Sequence, residues 1–214
     1  MTLTFLDFFI IIVALSGIAV LQYFRGRRVN LHLVKYTSRV FEEIIKPKDK
    51  TYHIIGMYVG YHAVYWIREG ALSRLEATVI LMPRYSAFYY PISKLTLRHD
   101  RVYLRYWFTR YPGGEAHAIA SRAYLRPLSS VINGLKDMNT EILEVNGRRY
   151  TIVYRDKISR DKVIYMLKRL TTHTDVKHLA IVPSNKTIYI YAKLDPTSFP
   201  RLVRESLLIA RKFA

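Results

Sequence analysis

The residues whose types and spacing suit chemistry fall in three places. Glu115 and His117 stand two apart in the run GGEAHAIAS, and residues two apart in a strand share a face. After the flexible Gly113-Gly114 turn a carboxylate would sit beside an imidazole, as in an acid-base pair or half a metal site. No second histidine follows at helical spacing and no HExxH run occurs, so a salt-linked surface pair is the simpler reading. A membrane-associated hydrolase using these two residues is the lesser alternative. His53 and His62 fall on opposite faces of a regular strand, which parts them unless Gly56 and Gly60 bend it. Serine elbows, phosphate-binding glycine loops and calcium loops are absent from the sequence. The chain has no cysteine, which excludes disulfides, thiolate metal sites and cysteine nucleophiles. We therefore assign no catalytic residue, no metal ligand and no cofactor.

The second place is an aromatic run, Tyr85, Phe88, Tyr89 and Tyr90, flanked by Arg84 and Lys94. Rings beside basic groups form stacking platforms for single-stranded nucleic acid. The same run fits a strand edge at a membrane interface, where tyrosine is enriched, or the aromatic core of its own unit. Arg84, Tyr85, Tyr89, Tyr90 and Lys94 are the candidate nucleic-acid or interface contacts. The third place is the triplet Arg25, Arg27 and Arg28, which follows a long apolar stretch and is the candidate lipid-headgroup site.

That stretch, residues 3–24, carries a single formal charge at Asp7. As a helix it would be about 33 Å long, enough to cross a hydrocarbon core of about 30 Å. A cleaved signal peptide needs a basic leading region, and no Lys or Arg precedes Arg25. Residues 1–24 are therefore expected to be a retained transmembrane anchor. The positive-inside rule puts Arg25, Arg27 and Arg28 on the cytoplasmic side and the N-terminus outside. The expected location is the cell membrane, single-pass, with the C-terminal part cytoplasmic. Asp7 reads as an interfacial carboxylate at the positive end of its helix.

Residues 25–50 form a basic juxtamembrane segment and an amphipathic helix. Asn30 is expected to cap a helix from about Leu31 to Lys46, stopped by Pro47. Leu31, Val34, Ser38, Phe41 and Ile45 make its stripe, widened by Val40 and Ile44.

Residues 51–138 read as a strand-rich domain. Strands are expected at 51–68, interrupted by Gly56 and Gly60, and at 74–82. A hairpin is expected over 94–109, with Leu95 and Leu97 opposite Leu104 and Val102 across a His99-Asp100 turn. With a strand at 115–124, this unit predicts a small barrel or a strongly curved sheet. A turn-rich stretch around 126–139, with Pro127, Gly134 and a short helix, marks the boundary. Residues 139–214 then predict a ββαββα domain. Strands 140–145 and 148–155 flank Asn146-Gly147, a strong hairpin signal, before a helix over 159–170. Strands 176–182 and 187–193 and a helix from about 197 to 212 repeat the pattern. The fold class is thus α+β with one N-terminal transmembrane helix.

The formal charge is +18, and 14% of residues are aromatic, so the chain should fold and should favour anionic partners. Eight bases face three acids over residues 25–50, eleven face five over 51–138, and fifteen face seven over 139–214. The basic character is general, not a tail. Absent cysteine, a single glutamine and abundant Arg, Lys, Ile and Tyr resemble heat-adapted compositions. The expected function is a non-catalytic binding or scaffolding subunit at the inner membrane face, with anionic lipids and a protein of a membrane complex as partners. A membrane-tethered RNA- or ribosome-binding module is the alternative, in which nucleic acid is the partner.

Overall fold

A computed structural model describes residues 5–96, 99–110, 112–120 and 137–214. The protein is α+β: a long N-terminal helix leads into a nine-stranded antiparallel sheet with helices packed on it. The elements in chain order are α1 (Phe5–Ile45), β1 (Asp49–Ile55), β2 (Gly60–Glu69), β3 (Leu72–Ile80), α2 (Tyr89–Thr96), β4 (Arg101–Phe108) and β5 (Ala116–Ile119). They continue with β6 (Asn139–Val145), β7 (Arg148–Tyr154), α3 (Lys157–Thr171), β8 (Val176–Val182), β9 (Thr187–Lys193) and α4 (Phe199–Lys212).

Helix α1 is one uninterrupted rod of 41 residues, about 60 Å at 1.5 Å per residue. The expected break at Asn30 does not occur. Asn30 is wholly buried inside the helix, and its amide bonds to other segments instead of capping. The first half is long and apolar enough to cross a membrane, and none of its most apolar window is buried against the rest of the molecule. Asp7 lies in its first turn. The second half buries Thr37, Val40, Phe41 and Ile45; of the expected stripe, Val34, Ser38 and Ile44 are half-buried, and Leu31 is exposed. Phe41 meets Tyr65 of β2 at 5.4 Å and Phe199 of α4 edge-on at 5.1 Å. The helix ends at Ile45, Lys46 turns left-handed at φ 49°, and Pro47 follows.

The strand order is β1-β2-β3-β4-β9-β8-β5-β7-β6. The sheet is open, with β1 and β6 as its edges, so of the small barrel or strongly curved sheet expected for residues 51–138 the barrel is not formed. The stretch 51–68 proves to be two strands. Gly56 and Tyr58 take positive φ of 56° and 62°, the chain reverses, and β1 pairs with β2. The expected 94–109 hairpin is half wrong: Tyr89–Thr96 is helical, and β4 pairs with β3 and β9. Leucines spaced two apart suggested strand, but Ile92 and Leu95 in α2 obey helical spacing equally well. Leu97 and most of the expected helix and boundary at 126–139 lie outside the described residues, as do residues 121–124 of the expected strand at 115–124.

The elements of 139–214 follow the order read from the sequence. Asn146 and Gly147 both take positive φ, 51° and 72°, as a tight hairpin turn requires, and Glu144 faces Arg149. Asp156 caps α3 by accepting the Ser159 amide at 2.9 Å. The two hairpins are not neighbours, however, because β5 is inserted between β7 and β8. β4 and β9 pair as well, so the sheet runs through both segments.

The residues of each strand alternate between two faces. One face is covered by α4, α3 and the second half of α1, and carries Tyr65, Leu75, Leu104, Tyr106, Ile188 and Leu179 in the core. Tyr106 shares a 2.7 Å hydrogen bond with Ser206 of α4. Burial raises the Tyr106 phenol and, more strongly, that of Tyr65, so both stay neutral. The other face carries Trp66, Arg74, Arg105, Trp107, Tyr103 and Tyr189.

Candidate functional site

Strand register gives the sheet two ends. At one, Ile55, Gly60, Ile80, Arg101 and Lys193 succeed one another across paired strands. At the other stand Trp66, Arg74, Trp107 and Thr187. Six residues of strand part the two ends, about 20 Å. α1 leaves its apolar half at the first end and reaches the second at Ile45, where Lys48 donates to the Trp66 carbonyl at 2.8 Å.

The first end is an interlocked junction. Gly26 of α1 is buried because the backbone of Arg84 lies against it: a Cβ there would stand 2.1 Å from the Arg84 carbonyl oxygen. No other residue allows that approach. Asn30 Nδ2 donates to the Tyr58 carbonyl at 2.8 Å and to the Met82 carbonyl at 2.9 Å, while its Oδ1 accepts from Arg84 at 3.1 Å. Arg84 then grips Asp100 with two bonds of 2.9 and 2.6 Å, and Asp100 also accepts the Met82 amide at 2.7 Å. Each of these buried polar groups has a partner, as burial demands. One turn nearer the N-terminus, Gln22 donates to the Arg84 carbonyl at 2.8 Å. Tyr23 meets Tyr58 at 6.5 Å and Tyr85 at 6.4 Å, both edge-on, and Arg27 lies 4.9 Å over the Tyr58 ring.

The residues expected to contact lipid or nucleic acid thus gather around this junction without forming one platform. Arg25 and Arg28 are exposed, and Arg27 is half-buried. Arg84 is engaged by Asp100 and Asn30, and Tyr85 by Tyr23 and Tyr58. Tyr89 is 62% exposed on α2, and Tyr90 lies beneath Lys94, whose nitrogen is 5.4 Å from the ring.

At the second end, sequence reasoning missed a surface that strand alternation would have revealed had β2, β3 and β4 been read as neighbours. Arg74 lies between two indoles, 5.3 Å from Trp66 and 4.5 Å from Trp107. Arg105 approaches Trp107 at 5.8 Å. Glu76 holds Arg74 at 3.1 Å. Farther along this face, Tyr103 stacks on Tyr191 at 4.7 Å. The result is a surface of rings and guanidinium groups on which no helix packs among the described residues.

Two histidine pairs share this face. The β1-β2 reversal sets His53 directly opposite His62, rings 6.4 Å apart, so the glycines do bend the strand. His117 has Glu115 Oε1 3.5 Å from Nε2, the neighbour the sequence suggested, but its imidazole is buried, so the pair is not the salt-linked surface pair expected. His178, which the sequence reading did not single out, comes within 3.3 Å of its Nδ1. Burial pushes His178 down to about 3, helped by the neighbouring His117. Burial lowers His117 too, against the pull of Glu115. Both imidazoles are neutral at pH 7. Glu115 is also held by Arg155 at 3.0 Å. Among the described residues no group of three or more His, Asp or Glu side chains is placed to hold a metal ion.

No protein-family model matches the chain, and no curated protein matches it.

Proposed function

We propose that this chain is a membrane-anchored binding or scaffolding protein, spanning once with its sheet held on the cytoplasmic face. The observation that carries this reading is the continuity of α1. An exposed apolar half long enough to cross a bilayer passes into a half whose Phe41 and Ile45 lie in the core. Anchor and body are therefore one rigid piece. Arg25, Arg27 and Arg28 stand where the helix would leave the membrane, and contacts with anionic headgroups are worth on the order of 1 kcal/mol each. The rigid junction then presents the face of Trp66, Arg74 and Trp107 about 20 Å away, where a protein partner of a membrane complex would dock. Within the body, we read residues 139–214 as a ββαββα unit completed by β5.

The test is fractionation of the full-length protein. It should stay with membranes through a high-salt wash, and protease should reach Lys157 or Arg169 only after the membrane is opened. Release by salt alone would overturn the anchor. Cleavage at those sites in intact cells would overturn the orientation.

A second reading, a tethered RNA-binding module, is favoured by the Trp66-Arg74-Trp107 surface, since rings and arginines are what base stacking uses. On geometry its stacking residues would be Tyr103 and Trp107, not Tyr85 and Tyr90, which pack within the junction. Tight RNA binding at physiological salt that collapses in Trp107→Leu would put this reading first.

A further inference from the structure

We propose that α2 is a second membrane contact, an interfacial helix that lays Phe88, Tyr89, Ile92 and Leu95 into the same anionic leaflet that α1 crosses. This rests on the reading of α1 as the membrane anchor.

Four observations carry it. First, α2 is amphipathic with its apolar side outward. Ser93 is buried and Tyr90 half-buried on the inner side, whereas Phe88 is 78%, Tyr89 62%, Ile92 54% and Leu95 78% exposed. Residues 88, 92 and 95 fall on one helical face. An apolar patch of that size seldom faces water without use.

Second, the level of α2 is fixed by α1. Tyr90 lines a shallow cleft with Gln22, Arg25, Gly26 and Val29, and Gln22 bonds the carbonyl of Arg84, five residues before α2 begins. Gln22 to Gly26 is where the apolar run stops and the arginines start. A helix at that height lies in the interface.

Third, the charge around it suits an anionic surface. Arg25, Arg28, Lys94 and Lys193 are exposed at this end; of the acids there, Asp100 is buried in its pair with Arg84, and the exposed Asp195 beyond Lys193 is outnumbered by these bases. Fourth, the neighbouring β1-β2 turn adds Met57, 69% exposed, beside Tyr58, which packs on Tyr23. Interfacial helices bury their apolar side roughly 5–10 Å into the headgroup and acyl boundary, a depth the side chains of α2 would reach. Two contacts would fix the tilt of this rigid piece in the bilayer, where α1 alone would leave anchor and body free to tilt and rotate together.

The chain has no cysteine, so single cysteines can report position in the full-length protein. Val13→Cys, Ile92→Cys, Leu95→Cys and Ser184→Cys, each carrying an environment-sensitive fluorophore, would be reconstituted in phosphatidylcholine vesicles with and without phosphatidylserine. Val13 reads the anchor, Ile92 and Leu95 read α2, and Ser184 lies in the turn at the far end of the sheet. The expected result is quenching of Ile92 and Leu95 by lipids carrying shallow nitroxides, with loss of quenching by aqueous iodide, strengthened by phosphatidylserine. Val13 should be quenched by deep nitroxides and Ser184 by iodide alone. If Ile92 and Leu95 are as open to iodide as Ser184 while Val13 is in lipid, the α2 contact is overturned and the anchor stands. If Val13 is open to iodide while Ile92 meets lipid, the anchor reading fails and the α2 contact stands. Shielding of Ile92 and Leu95 from both quenchers would mean that protein, such as a second copy, covers α2, and would also overturn the proposal.

Discussion

The two ends of the sheet use arginine in opposite ways. At the end where the apolar half of α1 departs, Arg84 is enclosed, with both terminal guanidinium nitrogens on Asp100 and one shared with Asn30. At the distal end, Arg74 and Arg105 lie over the faces of Trp66 and Trp107 with their outer sides toward water. The first arrangement is closed and specifies one geometry between helix and sheet. The second rests on ring stacking and on ion pairs that are partly exposed, 28% at Arg74 and 48% at Arg105. Positive charge is locked in a buried pair at one end and lies on indole faces at the other.

The contrast is broken most strongly at the closed end. Arg84→Ala leaves Asp100 buried and unpaired, since their side chains are only 17% and 9% exposed, and should cost about 3–5 kcal/mol. Chemical denaturation in detergent would show the loss. A change below about 1 kcal/mol would mean that water enters the junction freely and that the pair resembles a surface salt bridge.

An intermediate effect comes from the buried histidines. Because the folded-state value of His178 lies near 3, below the ordinary value of about 6.5, the unfolded chain binds the extra proton first. Stability is therefore full above pH about 6.5 and falls as pH drops toward about 3, by about 1.4 kcal/mol per pH unit for each such group. His117 adds to the slope in the same direction. Denaturation midpoints between pH about 5 and 6.5 should fall in the native protein and fall less steeply in His178→Gln. Equal slopes would show that the pair is solvated.

The smallest effect is expected at the open end. Arg74→Ala removes two indole contacts and a partly exposed bridge to Glu76, and should cost about 0.5–1 kcal/mol. A stability loss matching that of Arg84→Ala would show that the ladder is structural and not available to a partner.

What could be read from the sequence divides along similar lines. β8 and β9 fall at the boundaries expected from the recurring hairpin-helix pattern, and Asn146-Gly147 turns as its residues require, because these signals are local. The apolar run before Arg25 was equally plain. The junction was not: Asn30 has the residue type of a helix cap, and only the distant carbonyls of Tyr58 and Met82 make it an interior residue. Gly26 likewise gives no local sign that the Arg84 backbone lies against it. Leu95 obeyed both periods, and burial of Ser93 alone shows which one the chain adopts. The candidate surface needed the order of β2, β3 and β4, and His178 needed β5 between β7 and β8. Long-range pairing of this kind leaves no mark on spacing along the chain.

Amide hydrogen exchange of the full-length protein in lipid nanodiscs reads directly whether the apolar half of α1 and the sheet share one rigid helix. The account predicts slow exchange without a break from Gln22 through Ile45, lost around residues 25–33 in Gly26→Val, where the new side chain must push the Arg84 backbone away. Rapid exchange over residues 25–30 in the native protein, with residues 37–45 still protected, would contradict it and restore a flexible linker between membrane and domain.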